Sequence, residues 1–231
     1  CCPSRQRDIT PKGNRMKLNR FLFPPSLILL AATLIWLIGL QRSTQQVYQG
    51  VEFNQPATDF QLTDQYGDSI RLSDFHGKIV ILTFMYTQCV DTCPITAHHF
   101  IQTYQELNDE QKKQVIFLGV NVNAEAADIE NINTMTAAWG LDKIPQWHFL
   151  TGKIELLEPV WKAYNVSVTP RTTDHQTTHT QLVHTPGTYI IDALGQIRWY
   201  VSTPYDSSTS EWIPPLYEIL IKHIKSLLQE I

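Results

Sequence analysis

Residues 83–100 read TFMYTQCVDTCPITAHHF and contain Cys89 and Cys93, two of only four cysteines in the 231-residue chain. On a helix, thiols at i and i+4 have Cα atoms about 6 Å apart, which is within disulfide range and lets two sulfurs face one ion. Three chemistries fit that spacing: an inert disulfide, a redox couple, or a pair of soft ligands that select Cu(I) or Zn(II) over hard ions. The inert crosslink is the weakest, because closing so short a loop removes little freedom from the unfolded chain. A helix N-terminus beside the pair would favour the thiolate, the form that both attacks disulfides and binds metal.

Other side chains could join such chemistry. His98 and His99 follow the cysteines directly, His175 and His179 sit in a polar stretch, and His184 lies much further along the chain. His98, His99, His175 and His179 read as solvated, with His179 a spare ligand. Spacing alone leaves His184 an ordinary loop histidine. Met85 falls inside an apolar run and reads as core, as do Trp139, Trp147 and Trp161.

The elements that must position the thiols are legible in the pattern. KIVILTFMY, ending just before Cys89, is a continuous apolar run of the kind buried on both faces of a sheet. Pro94 suits the first turn of a helix, where its missing N–H is no loss. That helix would place Ile95, Phe100, Ile101 and Tyr104 on one face. QVIFLGVNV then returns as a second buried strand, which completes a strand, helix, strand unit. Upstream, TDFQLTDQYGDSIRLSDFHG reads as two short strands around a turn at 65–68. Downstream come a helix in AADIENINTMTAAWG, a short WHFLTG segment and a helix in KIELLEPVWKAYNV. Strands at TYIID and QIRWYV and a final amphipathic helix over about 210–229 complete the pattern. Residues 168–181, rich in Thr and His, read as one long loop insertion. Strands alternating with helices, with two adjacent late strands, predict an α/β sandwich around a mixed sheet.

Composition excludes one class of function. With 43% apolar residues, 17% charged residues and a net charge of −4, the chain is an ordinary folded protein without a basic patch for nucleic acid. Phe21 to Leu40 is an uncharged run whose helix would reach about 30 Å, enough to span a bilayer. Arg5, Arg7, Lys12, Arg15, Lys17 and Arg20 precede it, whereas Arg42 is the single basic residue soon after it. The bias predicts a single-pass cell-membrane protein whose C-terminal bulk lies outside the cytoplasm. No A-x-A-like site follows the run, so an uncleaved anchor is expected. The expected organisation is a basic segment over 1–20, an anchor over 21–40, a tether over 41–56 and a folded domain over 57–231. MKLNRFLF from Met16 reads as a start in its own right, which would put Cys1 and Cys2 upstream of it and leave Cys89 and Cys93 the two thiols of an oxidising compartment.

Taken together, FQLTDQYGDSIRLSDFHGKIVILTFMYTQCVDTCP, WHFLTG, VWKAYNV and LVHTPGTYIIDALGQI resemble the Sco (SenC) family of membrane-anchored, thioredoxin-like copper proteins, over about residues 56–231. The family signature is C-P-D-x-C-P with a distant histidine just before a strand. The resemblance implies a thioredoxin-like domain in which Cys89, Cys93 and His184 bind copper, with Tyr189 and Asp192 following at the family spacing. Val90 replaces the usual proline, and Val183 stands where an acidic residue commonly precedes the histidine; Asp91 is kept. The resemblance further implies a metallochaperone that delivers Cu(I) or Cu(II) to the dinuclear copper site of cytochrome c oxidase. Its partners would be the copper-bearing oxidase subunit, a copper donor and a thiol reductant. Pro186 falls where thioredoxin-like oxidoreductases carry a proline facing the thiols, so a thiol-disulfide oxidoreductase acting on the target's cysteines is the alternative. A peroxidase of the peroxiredoxin kind would need a Pro, Thr and Arg setting that is missing around Cys89.

Overall fold

The computed structural model describes residues 50–126, 128–171, 181–202, 205–206, 211–212 and 215–231. The expected anchor at 21–40, Cys1, Cys2, most of the tether, and His175 and His179 lie outside these residues. Among the described residues no helix is long and apolar enough to cross a membrane.

The strands are β1 (Val51–Pro56), β2 (Gln61–Thr63), β3 (Ser69–Arg71), β4 (Ile79–Met85), β5 (Val115–Asn121), β6 (Trp147–Leu150), β7 (Val168–Arg171), β8 (Gln181–His184), β9 (Thr188–Ile191) and β10 (Gln196–Val201), with a two-residue pair at Tyr205–Asp206 and Glu211–Trp212. The helices are α1 (Thr92–Glu106), α2 (Asp109–Lys112), α3 (Ile129–Ala138), α4 (Ile154–Ala163) and α5 (Leu216–Leu227). Six strands form one sheet in the order β1-β10-β9-β4-β5-β6. β4, β5 and β6 run parallel, while β9, β10 and β1 add on antiparallel. The expected mixed sheet is therefore present.

The apolar runs are continuous because helices cover both faces of the sheet. All seven residues of β4 and all seven of β5 are buried. On one face Phe100 of α1 packs against Phe117 and Trp147, and on the other Phe84 meets Tyr164, just past α4. Met85 and Trp147 are core, as expected, and Trp161 is buried with its indole N–H donating to the Asn121 carbonyl at 2.9 Å. Trp139 is partly buried against the core. Because β4 and β5 are in parallel register from Ile79↔Val115 to Met85↔Asn121, the thiol loop leaves the carboxyl end of a central strand, the edge where open α/β sheets hold their ligands.

Four expectations change. Residues 51–56, read as the end of the tether, are edge strand β1 paired with β10; one neighbour and mostly exposed side chains leave no alternation to read. The 168–181 insertion is not all loop, because its first four residues pair with Gln181–His184 as a β7–β8 hairpin. The last helix begins at Leu216, later than expected, because Pro214 and Pro215 disfavour helix before them. His99 is buried, not solvated: α5 covers that side of α1 and Tyr217 stacks on the His99 ring at 5.9 Å between centroids. His98, one residue earlier, is exposed.

Candidate metal centre

β4 ends in a tight turn. The Cys89 backbone N–H donates to the Tyr86 carbonyl at 3.2 Å, and α1 starts at Thr92 with Cys93 and Pro94 in its first turn. Asp91 precedes the helix but its side chain does not cap it. The Cys89 sulfur takes that part, accepting the Cys93 backbone N–H at 3.3 Å, with the Thr92 hydroxyl 3.9 Å away. Such a site offers an anion an otherwise unmatched helical N–H and the positive end of the helix dipole.

Both thiols are free and buried, Cys89 at 6% exposure and Cys93 at 3%. Their acidities separate. The S–H of Cys93, hydrogen bonded to Cys89, is the largest influence holding Cys89 down at about 6; burial works against it, and the backbone N–H groups of Cys93 and Asp91 and the Thr92 hydroxyl add to the lowering. Burial, and then the hydrogen bond and charge of Cys89, push Cys93 well above the ordinary thiol range. Cys93 stands in the first helical turn, yet burial outweighs the dipole there. At neutral pH the pair is a thiolate at Cys89 and a thiol at Cys93.

His184 ends β8 opposite Val168 of β7 and lines the same cavity as Cys93, a space of about 30 Å³ that Thr92, Thr96, Pro186 and Gly187 help to enclose. That is room for one water or one ion. Burial lowers the pKa of His184 below the usual imidazole value, so the ring is neutral at pH 7. Its Nδ1 lies 3.2 Å from the Thr185 carbonyl, and an N–H there leaves the Nε2 lone pair free. The backbone thus orients this ring in place of the acidic neighbour that Val183 does not supply. Val183 is 49% exposed, and Val90 between the cysteines is 74% exposed.

The structure brings Cys89 and Cys93 together and puts His184 on the wall of the Cys93 cavity. Among the described residues, no three of His, Cys, Asp and Glu already stand close enough to hold one metal ion. Asp192 is elsewhere: it follows β9, at the end of the sheet opposite the thiols, and accepts from Leu194 N, Gln196 N and Arg198 in a turn. Tyr189 is a structural donor to the Tyr164 carbonyl. Pro186 lines the cavity beside the thiols, and its carbonyl accepts the Tyr200 hydroxyl at 2.6 Å. Two contributors escaped the sequence reading. Tyr86 touches both the thiol loop and the His184 ring, and Thr185 orients that ring. The available signal for Tyr86 was its position at a strand end, three residues before Cys89.

The family model described as SCO1/SenC matches residues 49–214. The SCO2-like protein of Rickettsia felis is 25% identical over 154 residues, covering 66% of this chain and 71% of that protein. Apo Sco1 from Thermus thermophilus superposes with a TM-score of 0.62 at 21% identity, over 78% of this chain and 96% of that one. Copper-bound ScoI from Bradyrhizobium japonicum gives 0.58 at 22% identity, over 74% and 99%. These likenesses confirm the thioredoxin-like fold. With the family model running from β1 past β10 and so through the thiol loop and the hairpin alike, this chain belongs to the SCO1/SenC family.

Proposed function

We propose that this chain is a membrane-anchored copper metallochaperone that binds copper through Cys89, Cys93 and His184 and delivers it to the dinuclear copper site of cytochrome c oxidase. The observation that carries the reading is the donor set: a thiolate, a neighbouring thiol and a neutral imidazole beside an ion-sized cavity. Two sulfurs and one nitrogen suit copper in either oxidation state, the sulfurs favouring Cu(I) and the imidazole adding to Cu(II). A family relative with copper bound supports the choice of metal. The anchor is residues 21–40, and the basic flank before it puts the domain outside the cytoplasm.

Loading is proton exchange at the chain's own atoms. The Cys89 sulfur would meet the ion as a thiolate, Cys93 would release its proton to solvent as it binds, and His184 would offer Nε2 while Nδ1 keeps its proton on the Thr185 carbonyl.

The second reading, a thiol-disulfide oxidoreductase, draws on the lowered pKa of Cys89, which suits a nucleophile. Copper titration of the reduced full-length chain separates the two. Cys89→Ser and Cys93→Ser are each expected to abolish binding of both copper states, and disulfide formation to block loading. His184→Ala is expected to weaken Cu(II) binding strongly, since Cu(II) prefers an added imidazole nitrogen, to leave most Cu(I) binding, and to abolish oxidase assembly. Assembly retained in a His184→Ala strain whose protein no longer holds copper would refute the chaperone and leave the reductase.

A further inference from the structure

The side chain that connects the two halves of the candidate centre is Tyr86. It ends the segment leading from β4 into the thiol loop and is itself buried. Its carbonyl accepts the Cys89 N–H, its ring packs edge-on against the His184 ring at 6.0 Å between centroids, and its hydroxyl donates to the Leu182 carbonyl on β8 at 3.1 Å. The hairpin's other described polar ties run between its own flanks: Ser167 with Thr185, and Thr169 with Val183. β8 pairs with β7 alone and stands apart from the six-stranded sheet. The main sheet's nearest hydrogen bond to His184 lies three residues further on, from the Thr83 hydroxyl of β4 to the Gly187 carbonyl at 3.1 Å, so the sheet anchors the chain after His184 and not the hairpin arm that carries it.

We infer that Tyr86 is a positioning residue for copper: its hydroxyl latches the β7–β8 hairpin at Leu182, which keeps His184 within reach of Cys89 and Cys93. The inference rests on the reading of His184 as a ligand. Two features make the latch specific to the imidazole. The hydroxyl grips the strand two residues before His184, and the ring presses on the imidazole itself, so one side chain fixes both the strand and the ring it carries. Cys89 and Cys93 are held independently by the turn and the start of α1, so losing the hydroxyl leaves the sulfurs where they are. In Sco-type binding, the latch acts on the nitrogen-dependent share of copper affinity only.

The test compares Tyr86→Phe, which keeps the ring and removes only the hydroxyl, with His184→Ala in the reduced full-length chain. Leu182 is part-exposed, so water can satisfy its freed carbonyl and the fold is retained; thermal unfolding checks this. Tyr86→Phe is expected to weaken Cu(II) binding about fivefold, the factor for one lost hydrogen bond of about 1 kcal/mol. Cu(I) affinity should stay within about twofold, and nitrogen hyperfine structure in the Cu(II) electron paramagnetic resonance spectrum should broaden or become heterogeneous. A Tyr86→Phe chain with unchanged or tighter Cu(II) binding, beside a His184→Ala chain that loses it, overturns the latch and leaves the ligand set standing. Equal loss of Cu(I) and Cu(II) affinity in Tyr86→Phe also overturns it, since that marks disturbance of the thiols. If His184→Ala itself leaves Cu(II) binding intact, the ligand reading fails first and the latch falls with it.

Discussion

Removing the Cys93 sulfur should return Cys89 toward an ordinary thiol, because the Cys93 S–H is the largest influence lowering it. With its pKa at about 6 instead of 9.0, Cys89 is about nine-tenths thiolate at pH 7, where an unshifted thiol would be about one part in a hundred. Population alone thus favours its alkylation about ninetyfold. A less basic thiolate is also a poorer nucleophile, by about twentyfold over three pH units at a Brønsted slope near 0.45. The net rate advantage at pH 7 is then only about fivefold, so the midpoint of the pH profile is the decisive quantity. Iodoacetamide labelling of the reduced chain, read by mass spectrometry on the peptide that carries Cys89, should give a wild-type midpoint near 6. Cys93→Ala should raise it by at least about one unit, short of the full return because the backbone donors and Thr92 remain. A wild-type midpoint close to 9, or one that Cys93→Ala leaves in place, would refute the S–H hydrogen bond as the cause.

The same shift makes the reduced fold pH-dependent. Cys89 is lowered on folding, so its contribution is present above the unfolded thiol range and lost as pH falls through about 6; Cys93 is raised, so its contribution is lost only as pH climbs above that range. Denaturant titrations from pH 6 to 9 should show the reduced chain gaining stability at up to about 1 kcal/mol per pH unit, and a disulfide form with the same slope would contradict the assignment. For topology, protease added to intact cells or protoplasts should digest the domain from residue 57 onward; protection that ends only on lysis would reverse the orientation.

What could be read in advance was whatever depends on near neighbours in sequence. β4 and β5 announce themselves because burial on both faces demands an unbroken apolar run, and the thiol pair announces itself by spacing at a strand end. His99 did not, because its burial depends on α5, more than a hundred residues later, and a one-faced helical pattern cannot anticipate a second partner. β1 and the β7–β8 hairpin escaped for the reason that they are peripheral: each has one pairing neighbour, and exposed edges impose little apolar periodicity. His184 sits at the end of that hairpin, so its place beside the thiols was legible through family resemblance and not through spacing.

Val183 shows how far a motif can depart before the chemistry must change. Where an acid is missing beside a ligating histidine, a sequence comparison counts one partner fewer for the ring. The ring's requirement is for any acceptor at Nδ1, and in this chain a peptide carbonyl one residue away meets it. A carbonyl is neutral, so it sets the tautomer without the added basicity a carboxylate gives, and as a proposed ligand the imidazole would be a weaker donor to the metal. On the proposed ligand set, copper would then be held chiefly through the two sulfurs, and the nitrogen would be the first ligand to let go. Transfer to an acceptor would then begin at His184, the one proposed ligand carried on the separate β7–β8 hairpin.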